Sequence, residues 1–170
     1  MAAGNRTVLV VIDSRKAADR RTADQTIFAA LDHFGVAWKV LDGGDYMGTI
    51  PAYVGPRALY LIAHDGAAAG LKPDQAQQIA KSIADGAGLV SFDRRVQEWP
   101  APLRSLLPSD IGSARAGTLR FGDRASFISF GHREAEELEL GEEIEVLTLP
   151  TTAGWQPLLS DSEGQTVIAS

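Results

Sequence analysis

The chain contains no cysteine. That absence removes disulfides, thiolate metal ligation and any Cys nucleophile together. Histidine is scarce: His33, His64 and His132 are the three in 170 residues, and none has the short spacing of a zinc ligand pair. No apolar run approaches the roughly 18 residues that a membrane-spanning helix needs. The opening MAAGNRTVLVVID sets one arginine before only five consecutive apolar residues, a poor secretion signal. A cytoplasmic location is the expectation that follows. Positive charge is in deficit, with 16 Lys and Arg against 22 Asp and Glu, a net charge of −6. A surface built to displace phosphate counterions needs the opposite balance, so nucleic acid is not an expected partner. Neither a Walker loop nor G-x-G-x-x-G occurs, and no cofactor and no metal are expected.

What is present reads as a globular α/β protein. Hydrophobic residues make up 45% and charged residues 22%, a composition that folds rather than stays disordered. At this length one domain, 1–170, is the simplest organisation. TVLVVID (Thr7 to Asp13) is a continuous β-branched run suited to burial on both faces of a parallel sheet. TADQ (Thr22 to Gln25) fits a capping box, after which Ile27, Phe28, Leu31 and Phe34 share one helical stripe and Gly35 can close the helix. VAWKVL (Val36 to Leu41), ALYLIA (Ala58 to Ala63) and GLVSF (Gly88 to Phe92) supply three more buried strands. KPDQAQQIAKSIADGAG gives the second helix, with Pro73 in its first turn and Gly86 at its end. Alternation of this kind implies neighbouring parallel strands with right-handed crossovers and helices on both faces.

Beyond Asp93 the rhythm changes. Pro100 and Pro102 allow only short helical pieces. From about Leu119 the pattern is of strands, in TLRF, SFISF, IEVLTL and a closing hairpin that turns at Ser162-Glu163-Gly164. Charge is uneven here. Seven arginines lie between Arg94 and Arg133, and EAEELELGEEIE then packs seven glutamates into twelve residues. A solvated acidic face is the plainer reading; pairing with the preceding arginines, or with a partner, is the other.

In open α/β sheets ligands bind beyond the carboxyl ends of the strands. Those ends carry Asp13, Ser14 and Arg15, then His64 and Asp65, then Asp93, Arg94 and Arg95. If the strands are neighbours, three carboxylates, an imidazole and three guanidiniums rim one edge and could hold a cation, an anion or a sugar. Asp93, His64 and Asp13 are the candidates for catalysis. Asp13, Ser14, Arg15, His64, Asp65, Asp93 and Arg94 are the candidate ligand contacts. The plainer alternative is that buried strands must surface, and Asp, Ser and Arg are ordinary residues for that first solvated turn. His64 and Asp65, adjacent on extended backbone, point apart and need not converge. A triad of Ser91, His64 and Asp13 can be written down, yet no G-x-S-x-G elbow exposes the serine.

The order of elements resembles the class I glutamine amidotransferase-like domains. The closer likeness is to the versions in β-galactosidase trimerisation domains and trehalose-utilisation proteins. It rests on ALYLIAHDGAAAGLKPDQAQQIAKSIADGAGLVSFD, on ISFGHREAEELELGEEIEVL and on GWQPLLSDSEGQTVIAS, and covers most of the chain. The resemblance implies a flavodoxin-like open sheet with a β-rich final third. It also implies that a nucleophile would stand just after the Gly-rich strand, where this chain has Phe92 and Asp93 instead of cysteine. The family's late histidine precedes proline, whereas His132 precedes Arg133. Without the thiol, glutamine hydrolysis through a thioester cannot run.

The implied role is a non-catalytic accessory domain for subunit association or ligand binding, in a carbohydrate-related or membrane-linked protein. A hydrolase using the carboxylate and histidine rim is the alternative. The relatives continue past their PVIA strand, so this sequence is expected to be a domain cut from a longer chain. Partners would then be its own copies or other domains of that chain, without direct membrane insertion. Asp93 is expected to be a salt-bridged or helix-capping residue, and losing a cap costs on the order of 1 kcal/mol.

Overall fold

The computed structural model describes residues 7–44, 59–122, 136–150 and 157–169. The segment SFISF and His132 lie outside them. The chain divides into two compact units, Met1–Leu107 and Pro108–Ser170.

Unit 1 holds a four-stranded parallel sheet in the order β2-β1-β3-β4, formed by β1 (Val8–Ile12), β2 (Trp38–Asp42), β3 (Leu59–Ile62) and β4 (Gly88–Ser91). All four expected strands are therefore present, adjacent and parallel. Between β1 and β2 the chain runs through α1 (Ala17–Ala23), a π-helical turn (Asp24–Phe28) and α2 (Ala29–His33) without a break. Between β3 and β4 it forms α3 (Pro73–Ala84). These two crossovers step in opposite directions along the sheet, so right-handed connections put their helices on opposite faces. No helix among the described residues is long and apolar enough to cross a membrane.

The first helix departs from expectation at both ends. It begins at Ala17, with Lys16 at the N-cap and no side-chain cap. Thr22 to Gln25 thus lie inside the helix rather than starting it, and the Thr22 hydroxyl donates back to the Ala18 carbonyl. Ile27, Phe28 and Leu31 pack on Val8, Val10 and Ile12, but Phe34 sits beyond the last helical turn and is 76% exposed. Gly35 and Gly86 close the two helices with φ of +64° and +104°, the left-handed region expected of them.

Burial separates the strands. β1 is buried along its whole length and most of β3 with it, whereas β2 and β4 are edges. The continuous apolar run of β4 therefore does not report burial on both faces. Val90 stays 40% exposed and Phe92, just past the strand, 56%. After β4 come a short 3-10 turn (Val96–Glu98) and the single turn α4 (Ala101–Arg104), as the prolines require.

Unit 2 is an antiparallel sheet in the order β6-β5-β7-β8, made by β5 (Gly112–Phe121), β6 (Glu137–Thr148), β7 (Pro157–Ser160) and β8 (Thr166–Ala169). Register sorts its chemistry by face. Ala114 opposes Val146, Ala116 opposes Ile144 and Leu119 opposes Leu138 on one side. Arg115 with Glu145, Thr118 with Glu139 and Arg120 with Glu137 form the other. Arg120 and Glu137 make an ion pair at 2.9 Å, and Arg115 reaches Glu143 at 3.4 Å. The glutamate run is thus not merely a solvated face, because part of it pairs with the preceding arginines. The closing hairpin turns where expected, around a buried Asp161 that accepts the amides of Glu163 (3.0 Å) and Gln165 (2.7 Å).

Candidate functional site

The rim of unit 1 assembles at the carboxyl ends of β1, β3 and β4. Its carboxylates and its imidazole already have structural partners. Asp13, 2% exposed, receives Nε–H and Nη2–H of Arg15, both at 2.8 Å, and the Arg15 amide at 3.1 Å. The Arg15 side-chain bonds outweigh the opposing effect of burial, and with the Arg15 amide and the nearby Lys16 charge they hold the Asp13 carboxyl below the ordinary aspartate value. The main-chain amide of Asp13 donates to His64 Nε2 at 3.0 Å. His64 must therefore carry its proton on Nδ1, which faces the Asp65 carbonyl at 3.1 Å. Both ring nitrogens are engaged, and the buried imidazole ties the end of β1 to the end of β3.

Asp65 accepts the Arg94 amide at 2.8 Å and the Arg94 guanidinium through Nε and Nη2. Burial pushes its carboxyl up, but these Arg94 bonds and charge prevail and leave it below the ordinary value. Ser14 offers its amide to Asp42, a residue the sequence reading passed over. Burial also raises Asp42, while the Ser14 amide and hydroxyl and the Gly44 amide bring it below the ordinary value. Lys16 extends its ammonium over Gly66, where a Cβ would fall within 1.9 Å of the nitrogen.

Asp93 is the most enclosed of these groups, at 1% exposure. Its Oδ1 accepts the amides of Gly66 (2.8 Å) and Arg95 (2.9 Å). Its Oδ2 accepts the Ala68 amide (3.3 Å) and the Trp99 indole Nε1–H (3.0 Å). Four donors fill the roughly four lone-pair positions of a carboxylate. Asp93 thereby pins the loop after β3 to the loop after β4. It is neither salt-bridged by Arg94, which serves Asp65, nor a simple helix cap. Trp99 was the readable clue, since a buried indole seeks an acceptor.

The triad written from the sequence does not form. Ser91, the last residue of β4, accepts the Asp93 amide at 3.0 Å; His64 faces the Asp13 amide; the Asp13 carboxylate faces Arg15. His33 is exposed and stacks edge-on against Phe34. No group of three potential metal ligands occurs among the described residues.

A groove of about 610 Å³ opens beside this rim, within unit 1. Leu61 pairs in register with Val90, so Val90 and Phe92 share a sheet face with Leu61 and Ala63. The α1–α2 helix packs on that face over β1, and its residues Thr22, Thr26, Ile27, Ala30 and Leu31 form the groove wall. Leu61, Ala63 and Phe92 are the floor, and His64, Asp65 and Arg94 close one end. Sequence reasoning missed this feature. Its signal is that, among the described residues, only two long crossover helices accompany the four strands.

No family model, no curated protein and no solved structure matches this chain.

Proposed function

We propose that this chain is a non-catalytic accessory domain of the amidotransferase-like type, a flavodoxin-like sheet with a β-rich final third. Its work is ligand binding or association, with its own copies or with other domains of a longer carbohydrate-related or membrane-linked protein. One observation carries this reading. Asp93, which with Phe92 stands where the resemblance puts the nucleophile, has every acceptor position filled by N–H donors of the surrounding loops. A carboxylate held in this way stabilises its loops but has no lone pair directed at a substrate. The His64 imidazole is committed in the same manner. Beside this rim, what the described residues leave free to meet another molecule is the groove, which suits binding rather than turnover.

The test is an assay of the purified protein on glutamine and on panels of aryl glycosides and aryl esters, beside His64→Gln and Asp93→Asn. No turnover above buffer is expected from any of the three. Turnover in the parent that disappears in a variant whose circular dichroism stays parental would overturn the reading.

A further inference from the structure

The groove beside the rim has the marks of a site rather than of a bare sheet face. Its volume of about 610 Å³ falls within the range of small-molecule pockets. Its wall includes the one stretch of helix, among the described residues, that adopts π geometry, Asp24–Phe28. Such turns are rare and frequently found at functional sites. The floor of Leu61, Ala63 and Phe92 offers contact to an apolar body but nothing to a strongly hydrated one.

The polar groups decide the other half of the ligand. Asp65 and Arg94 neutralise each other, and His64 has no free nitrogen. Thr22 and Thr26 donate their hydroxyl protons to the carbonyls of Ala18 and Thr22, leaving only acceptor capacity. Asp19, partly buried in the first turn of α1, lines the groove, and its carboxylate has no hydrogen bond or ion pair among the described residues. Among the described residues, the lining therefore carries one negative charge without an ion-pair partner, and what it leaves unmet is mainly acceptors.

We propose that this groove binds a small apolar amine, its ammonium on Asp19 and its aromatic or aliphatic body on Leu61, Ala63 and Phe92. The inference rests on the reading of the chain as a binding domain and names the ligand class. A carboxylate on the same skeleton would face acceptors, and the guanidinium that could receive it already holds Asp65 through Nε and Nη2.

Tryptamine and indole-3-propionate are matched probes, titrated into 15N-labelled protein while amide shifts are followed. The expected result is saturable shifts of Ile27, Ala30, Ala63 and Phe92 with tryptamine, at lower concentration than with the propionate. Asp19→Asn should weaken tryptamine about threefold, the scale of a partly exposed ion pair, and should not weaken the propionate. Ala30 is exposed on the wall, so Ala30→Trp can fill the groove without disturbing the core, and it should abolish the shifts. Equal affinity for the two probes, no effect of Asp19→Asn, or no shifts at these amides would overturn the proposal. Shifts of the same amides that grow with protein concentration alone would assign the groove to a second copy and overturn it too. Failure here leaves the non-catalytic reading standing, whereas turnover in the assay above would remove that reading and leave these titrations unaffected.

Discussion

The main-chain amide of Asp13 donates to Nε2 of His64 across 51 residues of sequence, at 3.0 Å. This bond joins the carboxyl ends of the two central strands, β1 and β3, at the point where connections leave the sheet in opposite directions. His64→Ala would orphan a buried amide, at a cost of about 2 kcal/mol. His64→Gln can return an acceptor near the Nε2 position and should recover roughly half of that loss. Urea unfolding measures both, and equal stabilities for Ala and Gln would show that the acceptor does not matter.

Acid should weaken unit 1 in a defined direction. Asp13, Asp42 and Asp65 all have carboxyls held below the ordinary aspartate value in the folded chain. Unfolded aspartates take up protons near pH 3.9, so below that the unfolded chain binds more protons than the native one. The stability these groups contribute is complete above about pH 5 and is lost as pH falls through their depressed folded values. Urea midpoints measured from pH 6 down to pH 3 should fall, most steeply below about pH 4. A flat profile would contradict the assignment.

Ser82 points the other way. It lies buried in α3, at 1% exposure, and its hydroxyl has no hydrogen-bond partner among the described residues. Ser82→Ala removes an unsatisfied polar atom and improves helix propensity, so it should raise stability by about 1 kcal/mol. A loss on thermal melting would mean that the hydroxyl has a use.

In unit 2 the hairpin turn hangs on one side chain. Asp161→Ala deletes the acceptor of the Glu163 and Gln165 amides. Exchange of the Gln165 amide should accelerate roughly tenfold, the equivalent of one net hydrogen bond. Unchanged protection would show that Gly164, at φ +81°, and the strand pairing hold the turn alone.

The four parallel strands were legible because continuous β-branched runs such as Val8–Ile12 have few other uses. Which strands are central and which are edges was not, since Val90 looks like Val10 in a sequence and differs only in its neighbours. Thr22 to Gln25 misled because the same letters serve mid-helix, while the true start at Lys16 carries no side-chain cap to read. The rim was legible as positions at strand ends. Its pairing was not: Asp13 takes Arg15, Asp65 takes Arg94 and Asp93 takes backbone amides, choices set by three-dimensional approach. The second half of β6 was legible in IEVLTL, but the glutamate run hid its first half for the same reason, its partners Arg115 and Arg120 lying on the neighbouring strand.

Asp93→Asn tests the central claim most directly. An amide in place of the carboxylate turns one acceptor oxygen into a donor, facing N–H groups that it cannot satisfy. The expected loss is about 3 kcal/mol, more than the on-the-order-of-1 kcal/mol of a helix cap, because several charge-assisted bonds in a buried network fail together. Residues kept for chemistry tend to behave oppositely, since active sites retain strained or destabilising groups at the expense of stability. Urea unfolding of parent and variant at pH 7 decides between the two. A midpoint lowered by the equivalent of about 3 kcal/mol is the result predicted for a structural hub. A variant as stable as the parent, or more stable, would contradict it and return Asp93 to the list of reactive groups.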